Sequence, residues 1–484
     1  MSSQVPTPPI AIAQLAAARQ RALPIVSLRV AAFALAMSML AACVTVAPPP
    51  STVEPPPAWR DAPGAGIAVQ RDWWRGYNDP VLSQLVDTAL AGNTDLRLAA
   101  VRVAEARALL DAQGAAQWPT LDLAASAQRS RSVSAATGRA NISDVSQPQF
   151  QAAFEVDLWG RLDALTDAAR ANLLASQTGA DSVRLSVAAA VASAYLGLRA
   201  SDARLEVAQR TLVSREGALK VAQRRFDTGY SSRLELAQAQ AEYRATAQVV
   251  PQLRLAIRRQ EDALSVLLGR APEAVPRGRA LDEIAAPALP AAGVPSQLLR
   301  RRPDIAQAEA QIAAADSSLD AARAQLLPSL RLTGSLGSLD SSLLRGDPIR
   351  LWSVGGSVLA PLFNHGRLRA QVQAGAARRD QAVLGYQKTV LTAFAEVEDA
   401  LAAIAHLREQ REQARQQRQA LSEALRIAHN RYNEGYASYL EELDAQRNLF
   451  NAELTVLQLQ GDALTAEVNL YKALGGGWEA AAER

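Results

Sequence analysis

The sequence predicts a mainly α-helical chain with a small membrane β part, and three observations predict it. Two proline-free stretches, Arg161 to Asp227 and Arg367 to Asn433, carry Ala, Leu and Val at helical spacing against Arg, Glu and Gln. Before each come two shorter stretches in which apolar and polar residues alternate. The whole order occurs twice, at an offset near 206 residues.

The N-terminus reads as an address. Residues 1–29 are rich in Pro, Ala and Gln with basic Arg19, Arg21 and Arg29, and Val30 to Ala47 carries no charge. That run stands at the lower limit for a membrane span, but its strongly apolar part, Val30 to Leu40, has the length of a signal h-region. Leu40-Ala41-Ala42-Cys43 then resembles the lipobox of bacterial lipoproteins. The resemblance implies a signal peptide over 1–42, cleavage before Cys43 and a lipid on that residue. Val44 in place of an aspartate points to the outer membrane. Residues 43–78 follow as a tether and N-terminal segment, stiffened by Pro48, Pro49, Pro50, Pro55, Pro56 and Pro57.

Two repeats come next, 79–270 and 296–475, separated by a Pro/Gly/Ala-rich linker at 271–295 and followed by a tail at 476–484. Arg225-Phe226-Asp227-Thr228-Gly229-Tyr230-Ser231-Ser232 answers Arg431-Tyr432-Asn433-Glu434-Gly435-Tyr436-Ala437-Ser438, and Gly160-Arg161 answers Gly366-Arg367. Within each repeat the period changes in one order. Pro80 to Gln117 and Pro303 to Gln325 are helical, Pro303 being suited to a first helical position. Period 2 then predicts strands at about 120–131 and 148–158, with a Ser/Gly/Asn-rich loop between them, and at about 329–339 and 351–362. Each long helix ends at Gly229 or Gly435 and returns, over about Arg233 to Leu268 and Tyr439 to Leu474. Gly475, Gly476 and Gly477 read as a frayed C-terminal stop.

Composition narrows the function. The 484 residues hold 51 Lys+Arg against 48 Asp+Glu, interleaved throughout, for a net charge of +3. No clustered basic face is offered to nucleic acid. One cysteine and three histidines, His365, His406 and His429, show no metal-ligand or triad spacing, so no cofactor is expected beyond the lipid on Cys43. Glu396, Glu398 and Asp399 read as a solvated or lumen-facing group rather than as acid/base machinery.

Helices of this length reach roughly 100 Å, beyond any compact core. Four strands cannot close a barrel, and open edges cannot face lipid. Several chains must each contribute four, and three would give 12 strands. In arrangement and motifs the chain resembles the TolC-type outer-membrane factors. The lipobox, Trp73-Trp74, Asp79-Pro80, Arg301-Arg302-Pro303-Asp304-Ile305 and the repeated Gly-Tyr turns resemble their NodT/OprM-like lipoprotein branch.

That resemblance implies a homotrimer: a 12-stranded β-barrel in the outer membrane, continuous with a long periplasmic α-helical barrel. It further implies a passive, gated duct of a tripartite pump, joined through a periplasmic adaptor to an inner-membrane RND-type transporter, and no enzyme. Gly229, Tyr230, Ser232, Gly435, Tyr436 and Ser438 would form the adaptor-docking tip, although Gly and Ser also serve as plain turn and cap residues there. Glu441 and Asp444 share a helix face and match the family's acidic aperture positions, with Glu in place of aspartate at the first. The alternative within this class is an outer component for protein secretion or metal-ion export. Outside it stand a lipid-anchored coiled-coil scaffold and a periplasmic enzyme.

Overall fold

The structure is a computed structural model in which residues 53–61, 69–133, 135–342 and 348–479 are described. The expected signal peptide over 1–42 and Cys43 lie outside the described residues. A 3-10 turn at Trp73–Tyr77 leads into α1 (Pro80–Gly92) and α2 (Thr94–Ala115), followed by β1 (Thr120–Val133), β2 (Ala140–Val156), α3 (Arg161–Asp227) and α4 (Arg233–Leu267). The second half runs through a single turn α5 (Pro295–Leu298), α6 (Pro303–Ala324), β3 (Ser329–Ser341), β4 (Ile349–Leu359), α7 (His365–Asn433) and α8 (Tyr439–Ala473). The helices α3 and α7 contain 67 and 69 residues, about 100 Å each at 1.5 Å per residue. Pro251 sits inside α4, where its missing N–H leaves the carbonyl one turn earlier without its helical donor.

The strands form one antiparallel sheet in the order β1-β2-β3-β4. The strand over 148–158 is longer at its start than the sequence indicates. The register carries on from Leu123↔Phe150 to Val133↔Ala140, so ladder hydrogen bonds absorb most of the Ser- and Asn-rich stretch and leave only a short turn. Polar residues are no obstacle there, because each strand needs apolar residues on one face alone.

Register sorts the two faces. One carries the rows Leu121–Ala152–Gly334–Val354, Leu123–Phe150–Leu336–Trp352, Phe154–Leu332–Gly356 and Val156–Leu330–Val358. The other carries Asp122–Gln151–Ser335–Ser353 and Glu155–Arg331–Ser357. The apolar face is bare: Trp352 is 75% and Val354 82% exposed. On the polar face Ser335 and Ser353 share a hydrogen bond of 2.8 Å.

Most of the core lies along the middle of the long helices, in two large clusters, with two small ones nearer the far turns. The first packs Val187 to Leu198 of α3 against α1, Trp73, Trp74 and the linker residues Val275, Leu281 and Ile284. The second packs Tyr386 to Ile404 of α7 against Ile305, Leu470 and Trp59. The Trp73 ring stacks on Tyr471 at 5.1 Å. Linker and N-terminal segment are thus parts of the core.

Two polar anchors hold this belt. Asp79 caps α1 by accepting from Val81 N at 2.8 Å, and its second oxygen accepts from Tyr195 OH at 3.0 Å and Arg279 N at 3.1 Å. The matching place before α6 holds Arg302, which is buried. It donates to the Ala473 carbonyl at 3.0 Å and pairs with Asp304 at 2.7 Å and Glu396 at 2.6 Å. Glu398 accepts from Arg60 N at 3.3 Å. Glu396 and Glu398 therefore hold the belt together and are not a free acidic face.

The glycine run is likewise not frayed. Gly475, Gly476 and Gly477 have φ of 88°, 57° and 75°, and a Cβ on them would collide with the Arg301 carbonyl, the Leu185 side chain and the Gln70 backbone. Trp478 Nε1 then donates to Asp181 at 2.9 Å. Only glycine can follow this path between three separate chain segments.

Candidate functional site

The two helical turns farthest from the sheet, α3 to α4 and α7 to α8, are built alike. Gly229 and Gly435 take φ of 77° and 81°. Tyr230 N donates to the Arg225 carbonyl at 2.7 Å, and Tyr436 N to the Arg431 carbonyl at 2.8 Å. This is the C-terminal stop that a left-handed glycine permits, and nothing lies within 4 Å of a Cβ at either glycine. Tyr230 and Tyr436 point into solvent, 87% and 77% exposed. Ser232 accepts from Glu235 N at 3.2 Å and caps α4, whereas the Ser438 side chain makes no capping bond.

The acidic pair follows the second turn. Glu441 and Asp444 are exposed on one face of α8, and Glu442 and Leu443 are buried on the other. Glu441 pairs with Arg431 at 3.1 Å, and Asp444 accepts from Asn448 at 3.2 Å. Both carboxylates keep access to solvent.

Behind them lies a polar cluster that sequence reasoning missed. Glu442 stands 2.8 Å from His429 Nδ1 and accepts from Gln446 Nε2 at 2.9 Å. Arg215, buried in α3, donates to Gln446 and lies 3.7 Å from Glu242, which also binds Arg447. Burial pulls the Arg215 guanidinium below its ordinary value, and Glu242 opposes that. Nearby, Arg225 donates to Tyr432 OH at 2.6 Å, and the Tyr432 and Tyr439 rings lie 5.5 Å apart. One signal was visible: Glu442 occupies the place of Leu236 in the first repeat, and both are buried.

At the opposite end, the junction of sheet and helices is pinned by Trp159 Nε1 donating to the Pro328 carbonyl at 2.8 Å and by Arg161 pairing with Glu155 at 2.8 Å. Leu362 and Phe363 stand out beside it, 75% and 103% exposed.

Known proteins share this arrangement. The sequence matches the family described as "Outer membrane efflux protein" over residues 85–270 and again over 294–476. It is 35% identical over 428 residues to the probable efflux pump outer membrane protein TtgC of Pseudomonas putida, covering 87% of this chain and 88% of that one. It is 36% identical to outer membrane protein OprJ of Pseudomonas aeruginosa, covering 86% and 90%. Among solved structures, the outer-membrane channel OprN superposes with a TM-score of 0.82 at 31% identity, over 90% of this chain and 99% of that one. The Campylobacter jejuni CmeC outer membrane channel gives 0.83 at 25% identity, over 91% and 95%. Two long helical hairpins joined to a two-faced four-stranded sheet, with relatives of this kind along most of its length, place the chain in the outer membrane efflux protein family.

Proposed function

We propose that three copies of this chain close a 12-stranded barrel in the outer membrane and continue it inward as a ring of 12 helical columns. The duplicated sequence would give each copy two equivalent sixths of that ring. The observation that carries this reading is the sheet: β1 and β4 each keep an edge unpaired among the described residues, while one face is apolar and bare. Backbone groups at such edges cannot be left open in lipid. Edge-to-edge pairing of copies satisfies them and turns the polar face towards a water-filled passage.

The duct is passive and no enzyme. It exports drugs or other small molecules, in keeping with relatives named for antibiotic, solvent and toluene efflux. Its partners are a periplasmic adaptor and an inner-membrane RND-type transporter, and a lipid on Cys43 adds a second hold on the membrane. The tip residues Gly229, Tyr230, Ser232, Gly435, Tyr436 and Ser438 meet the adaptor, chiefly through the two exposed tyrosines. Glu441 and Asp444, repeated by threefold symmetry, form acidic rings that select cations and repel one another as the tip narrows.

Single-channel conductance of the purified protein in planar bilayers tests this. Wild type should give a small, cation-selective conductance that rises several-fold in the Glu441→Ala, Asp444→Ala double variant. Identical conductance in both would remove the gate and keep the duct. A monomeric mass in detergent with no conductance would sink the barrel.

A further inference from the structure

The internal repeat relates a helix contact made inside one chain to one that the chain lacks. The long helix α3 packs against a short helix on each side, α2 and α6, whereas α7 packs against α6 alone. Of the two long helices, α6 packs against both and α2 only against α3. The series α2, α3, α6, α7 is therefore open at both ends among the described residues. Shifting the contact of α3 with α6 by one repeat pairs α7 with an α2, and the chain's own α2 stands at the opposite end of the series.

The correspondence can be followed residue by residue. The helices α2 and α6 are both 22 residues long, Thr94 answering Pro303 and Ala115 answering Ala324. On the long helices Arg161 answers Arg367 and Asp227 answers Asn433. In α3, Gly179 leaves a notch for the Gln307 side chain of α6, whose Nε2 would lie 3.0 Å from a Cβ at that glycine. The counterpart of Gly179 in α7 is Gly385, again a glycine inside a helix, which it weakens. Nothing of its own chain lies within 4 Å of a Cβ there. The counterpart of Gln307 is Leu98 on α2, an exposed apolar side chain. Leu98 is thus a knob without a hole, and Gly385 a hole without a knob.

The neighbours repeat the contrast. Ala310 of α6 is buried, and its counterpart Val101 on α2 is 65% exposed. Leu384 and Leu391, two turns apart on α7, are exposed, while Thr178 and Leu185, their counterparts on α3, are buried and half-buried. Exposed apolar residues grouped in this way mark a contact surface. A charge pair also fits. Ala314 and Asn172 line one cavity, and their counterparts are Glu105 and Arg378, both exposed and without an ion-pair partner among the described residues.

We propose that the outer face of α2 in one copy packs on α7 of a second copy, with Leu98 seated over Gly385 and Glu105 paired with Arg378. This contact rests on the ring proposed above and supplies its seam. Each copy offers α2 to one neighbour and α7 to the other, a head-to-tail interface of the kind that closes rings.

The test uses the full-length protein in detergent, cross-linked with a short bis-maleimide and run on a denaturing gel. The Leu98→Cys, Gly385→Cys double variant should give covalent dimers and trimers, and each single variant less than a tenth of that yield. The Gly179→Cys, Gln307→Cys variant, which places the link inside one chain, should stay at the mass of one chain. Gly385→Leu, whose Cβ meets no atom of its own chain, should lower the trimer fraction at least tenfold on dilution with helix content unchanged. Glu105→Arg should lower it severalfold, and adding Arg378→Glu should restore it. A wild-type trimer in which the double cysteine variant gives no link between copies, or links only within one chain, keeps the ring and overturns the contact. So does a Gly385→Leu variant that assembles normally. Failure of the charge exchange to restore assembly strikes the Glu105 and Arg378 pair from it. A wild type that is monomeric by native mass removes the ring and the contact together.

Discussion

The two tip turns share one backbone and differ in what locks them. Behind the first, Leu236 is buried, and Ala239 packs with Tyr439 and Leu443 of α8. Behind the second, the place of Leu236 is taken by Glu442, held by His429 and Gln446 and bordered by Arg215, Glu242 and Arg447. An apolar contact has no preferred angle and little dependence on salt or pH. A buried ionic cluster is specific in geometry and costly to leave half made. The difference teaches that a duplicated hairpin can keep its shape while one copy becomes electrostatically addressable, and that copy is the one carrying Glu441 and Asp444.

The strongest way to break this contrast is to remove one member of the cluster. Glu242→Ala leaves Arg215 buried without its carboxylate and should cost about 3–5 kcal/mol. The Arg215→Met, Glu242→Leu pair should stay within about 1 kcal/mol of wild type, because both charges leave together. Thermal unfolding of the two variants checks this, and equal losses would show that packing matters there and pairing does not.

Next in size is a carboxylate on the second return helix, α8. Burial pushes the Glu467 carboxyl up to about 7, against the counter-pull of Arg411 and Arg408. A carboxyl with a higher pKa in the folded than in the unfolded chain binds its proton more firmly when folded. Stability is then full below about 4.5 and declines as pH rises to about 7. Glu467→Gln should gain about 2 kcal/mol at pH 8 and nothing at pH 4. A gain independent of pH would contradict the assignment.

Gly229→Ala and Gly435→Ala should each cost about 1–2 kcal/mol from backbone strain alone, and equally, since neither site crowds a Cβ. Unequal losses in hydrogen-exchange protection at the two tips would mean that one turn bears a load the other does not. The smallest effect distinguishes the serines. Ser232→Ala should loosen the start of α4 by about 1 kcal/mol, while Ser438→Ala should be neutral, as its hydroxyl caps nothing.

Much of this architecture was legible because it is periodic. A 3.6-residue apolar stripe over a proline-free run can only be a long helix, and alternation at Leu121 and Leu123 or Phe150 and Phe154 announced a strand with two unlike faces. Residues that act singly were harder to read. Ala140 to Gln147 looks like loop because its polar residues hide the alternation, and the ladder decides otherwise. Gly475 to Gly477 looks frayed because sequence does not show what crowds a Cβ. Arg215, Glu242 and Arg447 sit in charged stretches resembling any solvated helix surface, and only the packing of α3, α4 and α8 brings them together. Glu441 and Asp444 were identified from their difference between repeats and from resemblance, and the structure adds that both remain accessible.

The stacking of Trp73 on Tyr471 bears on how the chain folds. Nearly four hundred residues separate the two rings, a contact of very high sequence separation that closes a loop containing almost the whole protein. Loop entropy grows only slowly with such a length, so the equilibrium cost is modest. The kinetic cost is larger, because contacts of this range form late. The apolar flanks of α1 and α3 stay uncovered until α8 arrives. Until then those apolar flanks are open to water, the condition under which a partly folded chain is prone to aggregate.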